Sequence, residues 1–135
     1  MIFYISLILI SFCIIMSLRT LFLPHRIKGK KVSFENFIYL TSIYVTVMFG
    51  FGLIYILLEI RGFTVFIDGV MGRGEDFTSR LETSFYFSAI TLFSVGYGDI
   101  SPIGIGRMIA VIEALIGYTI PAAFVFRVVL EMDKK

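Results

Sequence analysis

The residues with the strongest chemical implication are Ser94-Val95-Gly96-Tyr97-Gly98-Asp99, where glycine occupies alternate positions. Such glycines open backbone angles that other residues avoid, so a short helix over 81–93 cannot continue comfortably through them. The surrounding stretch 83–98 is apolar, uncharged and only 16 residues long, short of the ~20 that a helix needs to cross a bilayer core. A re-entrant segment is the expectation. Irregular backbone at membrane depth survives only where it is buried in protein or lines a polar cavity. The segment therefore implies a pore or a wet pocket. A second candidate is Glu113, the one charge in the apolar run 108–126. Carboxylates inside spans are functional candidates by default; the plainer reading is a hydrogen bond behind the short helix, to Ser88 or Thr91. The single cysteine, Cys13, and the single histidine, His25, have no partners from which to build a disulfide or a metal site. No nucleophile–base pair is visible, so an enzyme is not expected.

The elements that must hold these residues are apolar throughout. Of 135 residues, 58% are hydrophobic and 16% charged, and the mean hydropathy is +0.93. A soluble fold of this size could not hide so much apolar side chain. A soluble enzyme, a disordered chain and a collagen-like fibre are excluded, and a membrane protein follows. Three long apolar segments, 1–23, 36–58 and 108–126, can each span a bilayer. Their apolar character is continuous rather than confined to one stripe, which separates them from surface helices. The region 61–81 contains Gly62, Gly69, Gly72 and Gly74 and reads as an irregular loop. The first segment lacks a basic leader and a small-residue cleavage site, so it is read as a retained helix and not a signal peptide. Arg26, Lys28, Lys30 and Lys31 follow it, and Arg127, Lys134 and Lys135 follow the last span. The positive-inside rule then makes both basic regions cytoplasmic and exports the N-terminus. The net charge of +2, with basic residues scattered, gives no nucleic-acid face.

Thr91-Leu92-Phe93-Ser94-Val95-Gly96-Tyr97-Gly98-Asp99 resembles the signature of potassium channels, Thr-Val-Gly-Tyr-Gly-Asp between a pore helix and an inner helix. Asp99-Ile100-Ser101-Pro102 and Gly106-Arg107 resemble the residues of bacterial members at those places. The resemblance covers residues 36–130: outer helix 36–60, turret 61–81, pore helix 82–93, filter 94–99 and inner helix 104–130. Residues 1–23 form an extra N-terminal transmembrane helix, 24–35 a basic cytoplasmic linker and 131–135 a short cytoplasmic tail. The resemblance implies an all-α membrane protein of three transmembrane helices, a re-entrant pore helix and an extended filter. Four copies would surround a central pore, because each supplies one filter strand.

The same resemblance assigns roles. The carbonyls of Ser94, Val95, Gly96 and Tyr97 would coordinate potassium ions, with the Ser94 hydroxyl adding oxygens at the inner end. Thr91, Tyr86, Phe87, Gly98 and Asp99 would support the filter, Tyr86 and Phe87 as an aromatic cuff and Asp99 as the acceptor of a hydrogen bond from Tyr86. The pore helix would aim its negative C-terminal end at the cavity. Gly117 matches the hinge glycine of the family, and Pro121 adds to it on physical grounds by removing the donor for the Gly117 carbonyl; a static bend without a gating role is the alternative. Tyr118, Ala122 and Val125 would line the cavity. The sequence departs from the family pattern at Ser94, where threonine is usual, and at Phe93, where a small or hydroxylated residue is common. Ile90 replaces a glutamate found in some relatives. These departures touch selectivity and inactivation. The expected function is passive potassium conduction in the cell membrane. A weakly selective cation channel and a non-conducting assembly subunit are the alternatives. Besides its own copies, only membrane lipids are expected as partners, with no attached ligand-binding domain, and no arginine-rich helix provides a voltage sensor.

Overall fold

The computed structural model describes residues 1–22, 34–68 and 76–133. The linker 24–35 falls almost entirely outside the described residues, as do 69–75 of the turret and the last part of the tail. Among the described residues, four helices and two short strands follow one another as α1 (Ile2–Phe22), α2 (Phe34–Ile60), β1 (Phe66–Asp68), α3 (Phe77–Leu92), β2 (Ile100–Pro102) and α4 (Ile105–Asp133). Three of the helices are long and apolar enough to cross a membrane, over Ile2–Thr20, Asn36–Ile60 and Ile105–Phe126. With 16 residues, α3 is about 24 Å long and too short for a bilayer core of ~30 Å. The chain is mostly helical and multi-pass in kind.

Each helix end has a local cause. The C-terminus of α2 closes as a Schellman motif: the Phe63 N–H reaches the Leu58 carbonyl at 3.1 Å and the Gly62 N–H reaches Glu59 at 2.9 Å. Gly62 takes the left-handed conformation that this turn demands, with φ +85°. The C-terminus of α3 has the same bond pattern. The Val95 N–H donates to Ile90 at 2.9 Å and the Ser94 N–H to Thr91 at 3.0 Å. Here the left-handed residue is Ser94, with φ +56°. α3 starts at Phe77, after Asp76 at the N-cap position, four residues before the helix expected from the apolar run over 81–93. That run marks only the part of the helix that packs. The polar first turn shows in the sequence only through an Asp at the cap.

Helices α2, α3 and α4 pack around one core, with α1 laid against the outside of α2. The core carries Val47, Phe51, Tyr55, Val65, Phe66, Phe87, Leu92 and Ile120. The rings of Tyr55, Phe66 and Phe87 meet at 4.7–5.4 Å between centroids, a spacing at which aromatic pairs add to simple area burial. Glycine permits close approach where α1 meets α2 and where α4 meets the chain before β1. A Cβ on Gly50 would stand 2.6 Å from Ile14 of α1, and one on Gly106 would stand 2.5 Å from the Val65 carbonyl. At Gly106 the neighbour is backbone, which leaves no room for a side chain; at Gly50 the Ile14 side chain fills the space. α1 runs antiparallel to α2. Tyr39 donates a hydrogen bond to the Thr20 carbonyl near one end, and Arg61 lies 4.2 Å over the Phe3 ring at the other.

The two strands depart from the wholly helical expectation, in which 61–81 is an irregular loop. β1 and β2 are antiparallel, pairing Phe66 with Pro102, Ile67 with Ser101 and Asp68 with Ile100. The Ile103 N–H adds a bond to Val65 at 2.8 Å. A strand of three residues shows no periodicity, and only its partner selects it. The pair ties the chain just after Asp99 to the chain just after α2.

Candidate functional site

The 94–99 segment lies between two fixed points, the end of α3 and the start of β2. Between them φ is positive at Ser94, Gly96 and Gly98, at +56°, +55° and +80°. The change of hand at every second residue is the pattern that lets successive peptide units face the same way. Both the Val95 and the Gly96 N–H donate to the Ile90 carbonyl, at 2.9 and 3.2 Å. Residues 93–98 are all exposed in the single chain, and Tyr97 is 72% exposed although it sits in an apolar protein. No Cβ added at Gly96 or Gly98 would meet another atom within 4 Å. Their need for glycine is the backbone angle alone.

The predicted supporting residues divide. Tyr86 Oη donates to Asp99 Oδ2 at 2.7 Å, and Asp99 Oδ1 accepts from the Ile100 N–H at 3.1 Å. The hydrogen bond to Asp99 is the leading cause that pushes the Tyr86 phenol above its ordinary value. Phe87, beside it in sequence, is turned the other way, into the core against Tyr55 and Phe66. Thr91 is half-buried and its carbonyl belongs to the α3 end turn. Phe93 is exposed on one side and stacks on Tyr44 on the other, at 5.3 Å and 20° between planes.

On α4, Gly117 is buried and packs directly on the end of α3; a Cβ there would collide with the Leu92 carbonyl. Pro121 lies inside the helix and does not end it. Its ring leaves the Gly117 carbonyl without a helical donor. Tyr44 Oη of α2 donates to that carbonyl at 2.9 Å. Tyr118, Ala122 and Val125 are exposed or nearly so, Tyr118 to 75%. They share the open surface of α4 with Val111, Ile112 and Leu115.

Glu113 is fully buried and has the partners that a carboxyl in a span requires. Tyr55 Oη meets Oε2 at 2.8 Å and Ser88 Oγ meets Oε1 at 2.5 Å. Ser88 Oγ also lies 2.9 Å from the Met48 carbonyl. These contacts need three hydrogens, of which Tyr55 and Ser88 carry one each and the Met48 carbonyl none. A proton on the carboxyl would supply the third. Of the two partners expected from the sequence, Ser88 is the one that meets Glu113; the second place is taken by Tyr55 and not by Thr91. The sequence reading singles out neither Tyr44 nor Tyr55. The signal that could have found them is their spacing of 11 residues, three turns, which puts both phenols on one face of α2.

A multi-pass helical membrane protein with a glycine-alternating segment beside a short helix defines the class of channels. Residues 43–133 match a protein family described as "Ion channel", and the chain belongs to that family. It is similar to the "Protein LctB" of Bacillus caldotenax, 43% identical over 105 residues that cover 78% of each chain. It is also similar to the "Protein LctB" of Geobacillus stearothermophilus, 42% identical over 105 residues and 78% of each chain. No solved structure matches the chain significantly. The family makes the protein a channel and not an enzyme.

Proposed function

We propose that four copies of this chain form a potassium-selective channel that conducts passively through a central pore. Potassium ions bind at the carbonyls of Ser94, Val95, Gly96 and Tyr97, and the Ser94 hydroxyl faces the inner end. The observation that carries this reading is the positive φ at Ser94, Gly96 and Gly98, repeating every second residue between α3 and β2. A cation that sheds its water needs oxygens at every step of its path, and stacked backbone carbonyls supply them. Exposure supports the assembly: the side chains of Val95 and Tyr97 and the α4 surface around Leu115 and Tyr118 are uncovered in one chain. In this reading α3 is the re-entrant pore helix, the Tyr86–Asp99 bond steadies the outer end of the filter, and Phe87 supports it by seating α3 in the core. Gly117 and Pro121 are the hinge, and Tyr118, Ala122 and Val125 face the cavity. The protein sits in the cell membrane with its N-terminus outside and its C-terminus in the cytoplasm.

Purified protein reconstituted in liposomes tests this directly. Potassium efflux at least about tenfold faster than sodium efflux is expected, equivalent to ~1.4 kcal/mol of discrimination. Equal fluxes would leave a weakly selective cation pore. No flux for either ion, with a tetramer present, would leave an assembly subunit. Gly96→Ala should lower potassium flux, because an alanine held at φ near +55° is strained by about 1 kcal/mol.

A further inference from the structure

Outside the 94–99 segment, one tyrosine touches both the part of α4 that Pro121 interrupts and the residue that precedes the segment. Pro121 deprives the Gly117 carbonyl of its N–H partner. Inside a bilayer no water repairs that loss. Tyr44 does, through its hydroxyl at 2.9 Å. Its ring lies flat on Phe93, the residue that joins the last turn of α3 to Ser94. Gly117 itself rests on the Leu92 carbonyl with no room for a side chain. One phenol thus spans the proline-containing inner helix and the inner end of the 94–99 segment.

We propose that Tyr44 is a positioning residue whose hydroxyl stands in for the missing Pro121 N–H and whose ring fixes Phe93, so that the bend of α4 and the rear of the filter move as one. When α4 straightens or bends further at Gly117, the carbonyl leaves the hydroxyl and the ring loses its anchor. Phe93 is then released with it. Phe93, bulkier than the small or hydroxylated residue common at that place, becomes the part through which the hinge is felt. The consequence for conduction rests on the proposed channel function; the hydrogen-bond substitution does not.

The test is a double-mutant cycle on the full-length protein. Tyr44→Phe keeps the ring and removes the hydroxyl. Pro121→Ala restores the helical N–H, so the Gly117 carbonyl no longer depends on Tyr44. In the native background Tyr44→Phe should lower the melting temperature by about 2 °C and shift the fluorine resonance of 4-fluorophenylalanine placed at position 93. In the Pro121→Ala background the same change should do neither. In liposomes, Tyr44→Phe should alter potassium flux at least about threefold in the native background and leave it unaltered in the Pro121→Ala background, the flux following the resonance. Equal effects in both backgrounds, or none in either, would overturn the proposal. A native protein that carries no flux would count against the channel function, while the melting and fluorine cycle still decides the Tyr44 substitution.

Discussion

Two tyrosines on one face of α2 reach α4, and they do so with different chemistry. Tyr55 meets a side chain, the Glu113 carboxyl, at a site where both groups and Ser88 are fully buried. Tyr44 meets backbone, the Gly117 carbonyl, at a half-buried site. The first tie joins three helices through side chains and leaves the α4 ladder intact. The second exists because the ladder is broken by Pro121. A buried side-chain network whose polar groups all have partners is rigid. A carbonyl released by proline can exchange donors as the helix bends. α4 is therefore clamped through side chains near Glu113, and one turn later, at Gly117, it rests on α3 and is tied by a single hydroxyl.

The largest effect should come from breaking the clamp. Glu113→Ala leaves the Tyr55 hydroxyl unpaired and opens a void, costing about 3 kcal/mol of stability in thermal unfolding of the detergent-solubilised protein. Glu113→Gln reproduces a protonated carboxyl, one acceptor for Tyr55 and one donor for Ser88, and should cost less than about 1 kcal/mol. A glutamine as harmful as alanine would mean that the network requires the ionised acid. Next, Gly117→Ala forces a methyl group against the Leu92 carbonyl. It should destabilise by about 2 kcal/mol, the usual scale of overpacking, and an unchanged melting temperature would show that the bend is not held against α3. The smallest pair sets the two ties against each other. Tyr55→Phe should cost about 1.5 kcal/mol and Tyr44→Phe about 0.7 kcal/mol, because the hydroxyl partner left behind is buried deeper in the first case. The reverse order would place the rigid tie at the bend instead.

Much of this arrangement can be read from residue types. The bond between Ser88 and Glu113 follows from a carboxyl that must find a partner in an apolar span, and the bond from Tyr86 to Asp99 follows from the resemblance at the 94–99 segment. The orphan carbonyl of Gly117 follows from Pro121 alone. What fills it does not. Tyr44 is 73 residues away in the chain, and an apolar helix with several tyrosines gives no rule for choosing among them. Phe87 shows the same limit. Next to Tyr86 in sequence, it faces a different way because successive residues on a helix point about 100° apart, and only the core formed by Tyr55 and Phe66 fixes which of the two turns inward.

The class of molecule was already present in the order of residues. Hydropathy and length set three spans and one helix too short to cross, and alternate glycines set the backbone character of residues 94–99, because both depend only on local composition and sterics. Folding settled what local pattern left open. It paired β1 with β2, put α1 on the outside of α2 through Gly50, and gave Ser94 a left-handed conformation at the end of α3. It also chose Tyr55 and Tyr44 as the donors for Glu113 and Gly117. Apart from the Ser94 turn, each of these is a contact between segments distant in the chain, and its energy comes from groups that local pattern cannot bring together.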